Sequence, residues 1–595
     1  MSKYKFTRKS FIKIATAVPF LGGAISSCGD DDGGGSSERE DVERENAKYE
    51  ILDNVKTTFT ETFKEGEFTR DETLMITDIK AVLDSNYGSL IPTVGETHIL
   101  DKSLLKDPDS YTDATERKSL LFFPQITDIH ITDVQSPMRA VYGFIIGNGS
   151  AYRPQSVYST HVLNSMVQTF NAIHKKEKFN CVVATGDMID NAENIEMEWF
   201  NTVLNGGVIR ADSGDIEDPV SGSGNDFTDP YVTEGLADDL PWYASLGNHD
   251  VLFVGINYIT DEKAEKYISN EINKTNLGCE IYTGTQDATT KYGDPQCAFA
   301  THKTNQGKTQ IVPVGTEKCE VPEYGECDKP LVASDSKRTP FRNHGEIVED
   351  IKDGGGFNQE NTDVQKGYYS VRPDLNIPIE FIFLDLSATK KHFIKDNVMT
   401  PNQVLTNALL GQEQFNWLKN KLDELKEEGA ASIIFQHQPT DHFQSVSEIS
   451  SEEYILLLKQ YEDVLSVIAG HTHKNKIRHF NAENEGEYPL VEVVTCGLLD
   501  FPEQSRIYEV VYNNNGTISL FTTMLNHASK DNSFSSNARR LALAYTQVDK
   551  GFGDYGLGTI DDRNREIILP ISTKLQAKLE SLTTQAGYVK SQKID

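Results

Sequence analysis

Trp242-Tyr-Ala-Ser-Leu-Gly-Asn-His-Asp250 joins a short run of strand character to a polar tetrapeptide able to bind metal and move protons. An apolar run this short, closed by glycine, reads as a buried strand rather than a helix. Four other places repeat the arrangement. Leu120 to Phe123 with Ile126 leads to Asp128-Ile-His130, and Cys181-Val-Val-Ala184 leads to Gly186-Asp187-Met-Ile-Asp190. Ile433-Ile-Phe435 leads to His437 within Phe435-Gln-His-Gln-Pro439, and Val464 to Ala469 leads to Gly470-His471-Thr-His473. Gly-Asn-His-Asp alone is expected by chance in roughly one chain of this length in several hundred, and the other four clusters multiply that improbability. Polar residues at strand ends are carried on loops at one rim of a sheet, where open α/β sheets gather ligands. An α/β fold whose five loops converge on one site is the economical reading.

The residue types fit a pair of divalent cations. Cations held about 3.5–4 Å apart need a carboxylate that bridges them, with imidazole, carboxylate and amide ligands completing each shell. Asp187 is assigned to the bridge. Asp128, His130 and His473 would complete one metal, and Asn248, His437 and His471 the other. A hydroxide bridging two cations is a nucleophile near neutral pH and can attack phosphorus in line. His249 is not needed as a ligand, so it is assigned to protonating the leaving oxygen or stabilising phosphoryl charge, with Asp250 orienting its imidazole. Asp190, three residues after the bridge, is expected on the first turn of a helix, where it accepts hydrogen bonds that support the ligands. Such mixed ligands suit Mn, Fe, Zn or Co, and no thiolate is among them.

At these residues the chain resembles the calcineurin-like metallophosphoesterase superfamily. That pattern is Asp-x-His, Gly-Asp-x-x-Asp, Gly-Asn-His-Asp/Glu, a later His and Gly-His-x-His, with every element present here. The resemblance covers roughly residues 119 to 525. It implies a four-layer αββα sandwich with a di-metal site at the rim of two sheets and phosphate ester hydrolysis as the activity. Phe123-Pro-Gln-Ile-Thr-Asp-Ile-His-Ile-Thr-Asp133, Gln135-Ser-Pro137 and Arg153-Pro-Gln155 are similar to a bacterial secreted subgroup. Purple acid phosphatases place Tyr where this chain has Asp190, so a tyrosinate-bound ferric iron is not expected. A protein that binds metal only for stability would be expected to lose a ligand, and none is lost. His161, His174, His344, His392, His442 and His479 match no motif and read as solvated or loop residues, with His442 close enough to His437 to line a pocket.

Residues 1–27 read as a signal peptide: Lys3, Lys5, Arg8, Lys9 and Lys13 precede a short apolar stretch ending in Ser26-Ser27-Cys28. Ala24-Ile-Ser-Ser-Cys28 resembles a lipobox, which implies cleavage before Cys28 and lipidation of its thiol. Thr7-Arg-Lys-Ser-Phe-Ile-Lys13 resembles a twin-arginine signal with Lys9 in place of the second Arg, so either export route stays open. Residues 28–50 follow as an acidic Gly/Ser tether with almost nothing to bury. The expected product is exported and lipid-anchored to a bacterial membrane, on the periplasmic side or the cell surface. Cys181 and Cys496 sit in apolar runs, while Cys279, Cys297, Cys319 and Cys327 share one polar segment and suggest two disulfides of open connectivity, with a zinc site as the rival.

Residues 51–118 read as an N-terminal extension, 119–528 as one catalytic domain with insertions at 205–239 and 258–366, and 529–595 as a C-terminal helical extension. The insertions are candidate walls of a substrate pocket. Gln412 to Glu428 reads as a helix. Val491 to Val494, Ile507 to Val511 and Ile518 to Phe521 read as antiparallel strands finishing the second sheet. The formal net charge is −33, and near −38 without residues 1–27, a field that argues against nucleic-acid binding and favours a small phosphorylated substrate. Arg139 and Arg153 are candidates to grip it. The leading reading is an exported, lipid-anchored, dinuclear phosphoesterase. The alternative is a cell-surface binding lipoprotein whose metal centre is structural. The sequence leaves oligomeric state open.

Overall fold

The computed structural model describes residues 55–594 apart from 70, 72–78, 113–115, 137, 139–152, 215–223, 225, 270–299, 304–308, 313–333, 352–353, 359–360, 362–365, 531, 549–555 and 583–588. The proposed signal peptide and tether, Cys28, Arg139, and Cys279, Cys297, Cys319 and Cys327 lie outside the described residues. No helix among the described residues is long and apolar enough to cross a membrane.

The protein is α/β with two mixed sheets at its centre. Seven strands form one, in the order Ile99–Asp101, Arg565–Pro570, Thr517–Asn526, Gln504–Tyr512, Lys118–Ile126, Val182–Thr185, Trp242–Ser245. Its last three strands run parallel. Six strands form the other, in the order Tyr369–Val371, Ile379–Phe383, Ala431–Phe435, Val464–Ala469, Leu490–Val494, Lys476–Phe480, with the inner four parallel.

Strand alternation explains how the sheets meet. Side chains two apart share a face, and Phe381, Phe383 and Phe435 turn toward the first sheet. The Phe123 ring lies 4.9 Å from Phe381 and 5.9 Å from Phe435, and Tyr243 lies 6.1 Å from Phe383. The intervening Ile382, Ile434 and Val467 join a separate apolar cluster with Leu418, Leu422 and Leu425 of helix Gln412–Glu428 and Leu457 of helix Ser451–Leu458. The spacing of those three leucines puts them on one helical face, and Gly429, at φ 75°, ends the helix in the left-handed conformation that glycine adopts without penalty. Helix Ser159–Lys176 buries Val162, Met166 and Phe170; Phe170 meets Phe179, which stacks on Phe122 of the first sheet.

One buried amide ties the sheets together beneath the rim. Gln125 Nε2 donates to Thr185 Oγ1 at 2.7 Å and to Ala469 O at 3.1 Å, and its Oε1 accepts from Thr495 Oγ1 at 2.6 Å.

Three elements differ from expectation. The hairpin of Gln504–Tyr512 and Thr517–Asn526 joins the first sheet rather than the second, with Tyr508 paired to Phe123 and stacked on its ring at 5.3 Å. Leu490–Val494 lies in the second sheet, antiparallel to Lys476–Phe480 as read but parallel to Val464–Ala469 on its other side. Arg565–Pro570, in the segment read as helical, is a strand that pairs with Ile99–Asp101 from the N-terminal extension; a six-residue run ending in proline carries little periodic signal of its own.

Candidate metal centre

Each ligand loop leaves the C-terminal end of a parallel strand. Asp128 and His130 follow Lys118–Ile126, Asp187 follows Val182–Thr185, Asn248 follows Trp242–Ser245, His437 follows Ala431–Phe435, and His471 and His473 follow Val464–Ala469. Backbone bonds register the loops on one another: Asp128 N donates to Gly186 O at 3.1 Å and Gly470 N to His437 O at 2.9 Å. Asp128, His130, Asp187, His471 and His473 all hold φ between 47° and 70°. That left-handed region is costly for residues with side chains, of order 1–3 kcal/mol each, and such outliers gather at functional sites. The loops also approach more closely than a side chain would permit. A Cβ on Gly247 would lie 2.2 Å from Asp187 Oδ1, and one on Gly255 would lie 2.2 Å from the His249 ring.

Two clusters share Asp187. Asp128, His130, Asp187 and His473 bring ligand atoms within 4.8 Å of one another, and so do Asp187, His437 and His471. Asp187 Oδ1 accepts from His249 N at 2.8 Å, which leaves Oδ2 at 3.1 Å from His437 Nε2 and 3.9 Å from His130 Nε2. Asp128 Oδ1 lies 3.0 Å from His473 Nε2, and the Nε2 atoms of His130 and His473 face each other at 3.3 Å.

Three of the four histidines have an outward nitrogen facing a fixed oxygen. His437 Nδ1 donates to Thr185 O at 2.8 Å, His473 Nδ1 is hydrogen-bonded to Asp500 Oδ2, and His130 Nδ1 lies 2.9 Å from Asp190 Oδ1. Fixing one ring nitrogen this way aims the other's lone pair inward, as metal-ligating histidines require. Asn248 is oriented likewise: its Nδ2 donates to Gly255 O at 2.8 Å. Asn248 Oδ1 is then buried without a hydrogen-bond partner among the described residues. Buried acceptors are almost always satisfied, and a divalent cation would satisfy this one. The residues present fit such ions.

Charge in the metal-free site follows from the same contacts. Burial disfavours the imidazolium of His473, but Asp128 and Asp500 overcome it and lift its pKa to about 10. Asp187 does the same for His437, lifting it to about 9. Burial instead holds His130 down to about 4, aided by Arg153 and His249, and His471 down to about 3, aided by His437. Asp187 lies well below the usual carboxylate range: burial opposes its charge, and His437 and His249 outweigh it. His249 is raised because Asp187 and Asp190 outweigh burial.

The remaining expected residues fall as follows. His249 sits beside the clusters, its ring 4.6 Å from that of His130, with Nδ1 donating to Asp190 O at 2.8 Å. Its orienting partner is therefore Asp190 and not Asp250. The Asp250 carboxylate accepts from four backbone groups instead, at Asp187 (3.0 Å), Gly247 (2.7 Å), Met188 (2.8 Å) and Ile189 (3.1 Å), which shapes the bridging loop. Asp190 lies in a loop, since the helix begins only at Asn194; Glu196 of that helix reaches back to accept from Asp190 N and Asn191 N. Arg153 is paired with Asp500 and Asp190. His174 and His344 are buried rather than solvated, and His344 Nδ1 lies 2.5 Å from Asp385 Oδ2. His442 is half-exposed, its ring 5.8 Å from His471. Asp500 and Glu196 were not foreseen. Asp500 stands after the Leu498-Leu499 pair with no motif around it, and only its position beyond a strand end could have marked it.

No family model matches the sequence, and no curated protein matches it. A solved dimetal phosphatase from Danio rerio is similar in structure at a TM-score of 0.33 and 12% identity, covering 69% of this chain and 100% of that chain. A likeness this distant fixes neither site nor activity.

Proposed function

We propose that this protein is a dinuclear metal-dependent phosphoesterase of the calcineurin-like superfamily, built as a four-layer αββα sandwich. The observation that carries the reading is Asp187, shared by two ligand clusters in which His437 and His473 are each locked at the outer nitrogen. Asp128, His130 and His473 would hold one cation, Asn248, His437 and His471 the other, with Asp187 between them. Two divalent cations supply Lewis acidity toward a phosphoryl oxygen and lower the pKa of bound water.

The chain's own groups do the rest. His249 carries its Nδ1 proton on Asp190 O, so Nε2 is the nitrogen free to give a proton to a leaving oxygen. Asp187 and Asp190 raise its pKa against the opposing effect of burial, and so favour the protonated imidazole. His473 is 20% exposed while Asp128 and His437 are sealed, so substrate reaches the centre from the His473 and His442 side. Asp250 and Glu196 hold the loop that carries Asp187. The metal identity belongs to the set Mn, Fe, Zn or Co. The substrate class is a small phosphate ester, and the acidic chain disfavours polyanions.

The same proposal includes export through residues 1–27, lipidation at Cys28 and a tether over 28–50 to a bacterial membrane. Intact-mass measurement of the protein from its host membrane tests this; a mass that still contains residues 1–27 refutes it.

Activity is tested with the p-nitrophenyl mono- and diesters of phosphate on Mn-loaded protein lacking residues 1–28. Turnover is expected to disappear in Asp187→Ala and to fall about 10²–10⁴-fold in His249→Ala with both metals retained. Two metals bound without turnover on either ester would favour the binding-lipoprotein reading.

A further inference from the structure

Arg153 is 1% exposed and spans two carboxylates. Its Nε donates to Asp500 Oδ1 at 2.9 Å, and its Nη1 donates to Asp190 Oδ1 at 3.4 Å. Each carboxylate ends on imidazoles. Asp500 Oδ2 is hydrogen-bonded to His473 Nδ1, and Asp190 Oδ1 lies 2.9 Å from His130 Nδ1 and 3.4 Å from His249 Nδ1. Gln155, two residues on, donates to the same Asp500 Oδ1 at 3.3 Å and to Leu499 O at 3.0 Å.

We propose that Arg153 is the positioning residue of the metal centre: one guanidinium, by bridging Asp500 and Asp190, sets the rings of His473 and His130 together. The inference rests on the metal-centre reading and not on ester hydrolysis. Asp190 is buried and Asp500 is 26% exposed at its side chain; a planar, permanently charged fork reaches both carboxylates where an ammonium would reach one. A carboxylate on the outer nitrogen of a ligating histidine fixes its ring and raises its basicity. Arg153 occupies the N-cap position of the turn Pro154–Tyr158 that leads into helix Ser159–Lys176, with its backbone carbonyl accepting from Ser156 N, so its backbone is fixed at the start of a scaffold element.

The test measures Mn affinity of the full chain by competition with a chelator in Asp500→Asn, Arg153→Lys, Arg153→Met and the double variant Arg153→Met/Asp500→Asn. Asp500→Asn and Arg153→Met are each expected to weaken Mn binding by about 10–100-fold. The double variant is expected to fall well short of the product of the two losses, because the guanidinium acts through the carboxylate. Arg153→Lys should recover part of the affinity. A merely structural ion pair would lower the melting temperature and leave Mn affinity per folded molecule unchanged, and that result, or losses that multiply, overturns the proposal. If Arg153→Met does not fold, wild-type Mn affinity in both Asp500→Asn and Arg153→Lys overturns it equally. Absence of ester turnover with this affinity pattern intact would sink the phosphoesterase reading and leave the positioning role standing.

Discussion

Asp187 gives its two carboxylate oxygens to different tasks, one to the His249 amide and one to the space between His437 and His130. Asp187→Asn keeps the shape and removes the charge, so elemental analysis is expected to find both metals lost rather than one. Proton balance gives a second expectation. His437 near 9 and His473 near 10 are protonated at pH 7.5 in the metal-free protein, and a ligating imidazole must be neutral. Metal uptake should therefore release close to two protons, read by calorimetry in buffers of different ionisation enthalpy. Both folded-state values lie above the unfolded one of about 6.5. Their contribution to metal-free stability is thus complete below that pH and disappears as pH rises through 9 to 10. A metal-free melting temperature that climbs between pH 7 and 10 would contradict this. Asp250→Ala removes the acceptor of four amide groups around Gly247 and Ile189. It should lower stability and metal content together, whereas His249→Ala should spare both.

Strands and helices set how widely a change is felt. Leu422 packs between helix Gln412–Glu428 and the outer side of the six-stranded sheet, while Phe435 packs between the two sheets, two residues before His437. Leu422→Ala is expected to cost about 2–5 kcal/mol with Mn affinity unchanged, and Phe435→Ala about 3–5 kcal/mol with Mn affinity reduced. Denaturant melts and chelator competition check both. Legibility at this scale followed signal strength. The strands before Asp128, Asp187, Asn248, His437 and His471 stood out because each is an apolar run closed by a glycine or a polar residue, and the candidate ligands were named by the motifs at their ends. Which sheet the hairpin at Asn513 to Gly516 joins was not legible, because Tyr508 reads as an inward strand residue in either sheet and only its partner Phe123 decides. Asp500 was invisible for a related reason: its importance lies in what His473 and Arg153 bring to it from distant parts of the chain. Asp190 was misplaced on a helix because the loop before Asn194 is held by the Glu196 carboxylate, a contact with no local pattern.

At the scale of the molecule, a candidate centre built from both sheets would make metal binding and folding one equilibrium. Ions that bind only the folded state stabilise it by about 4 kcal/mol when present at a thousandfold over Kd. Chelation should accordingly lower the melting temperature by several degrees in wild type and leave Asp187→Asn unmoved. The seven-stranded sheet also has a chronology. Its outer pair joins Ile99 to Arg565, from opposite ends of the described chain. A ribosome has therefore delivered every ligand from Asp128 to His473 before it delivers the strand that Ile99–Asp101 must lie against. The candidate ligands are thus all present in the nascent chain before the strand that pairs with Ile99–Asp101 is made.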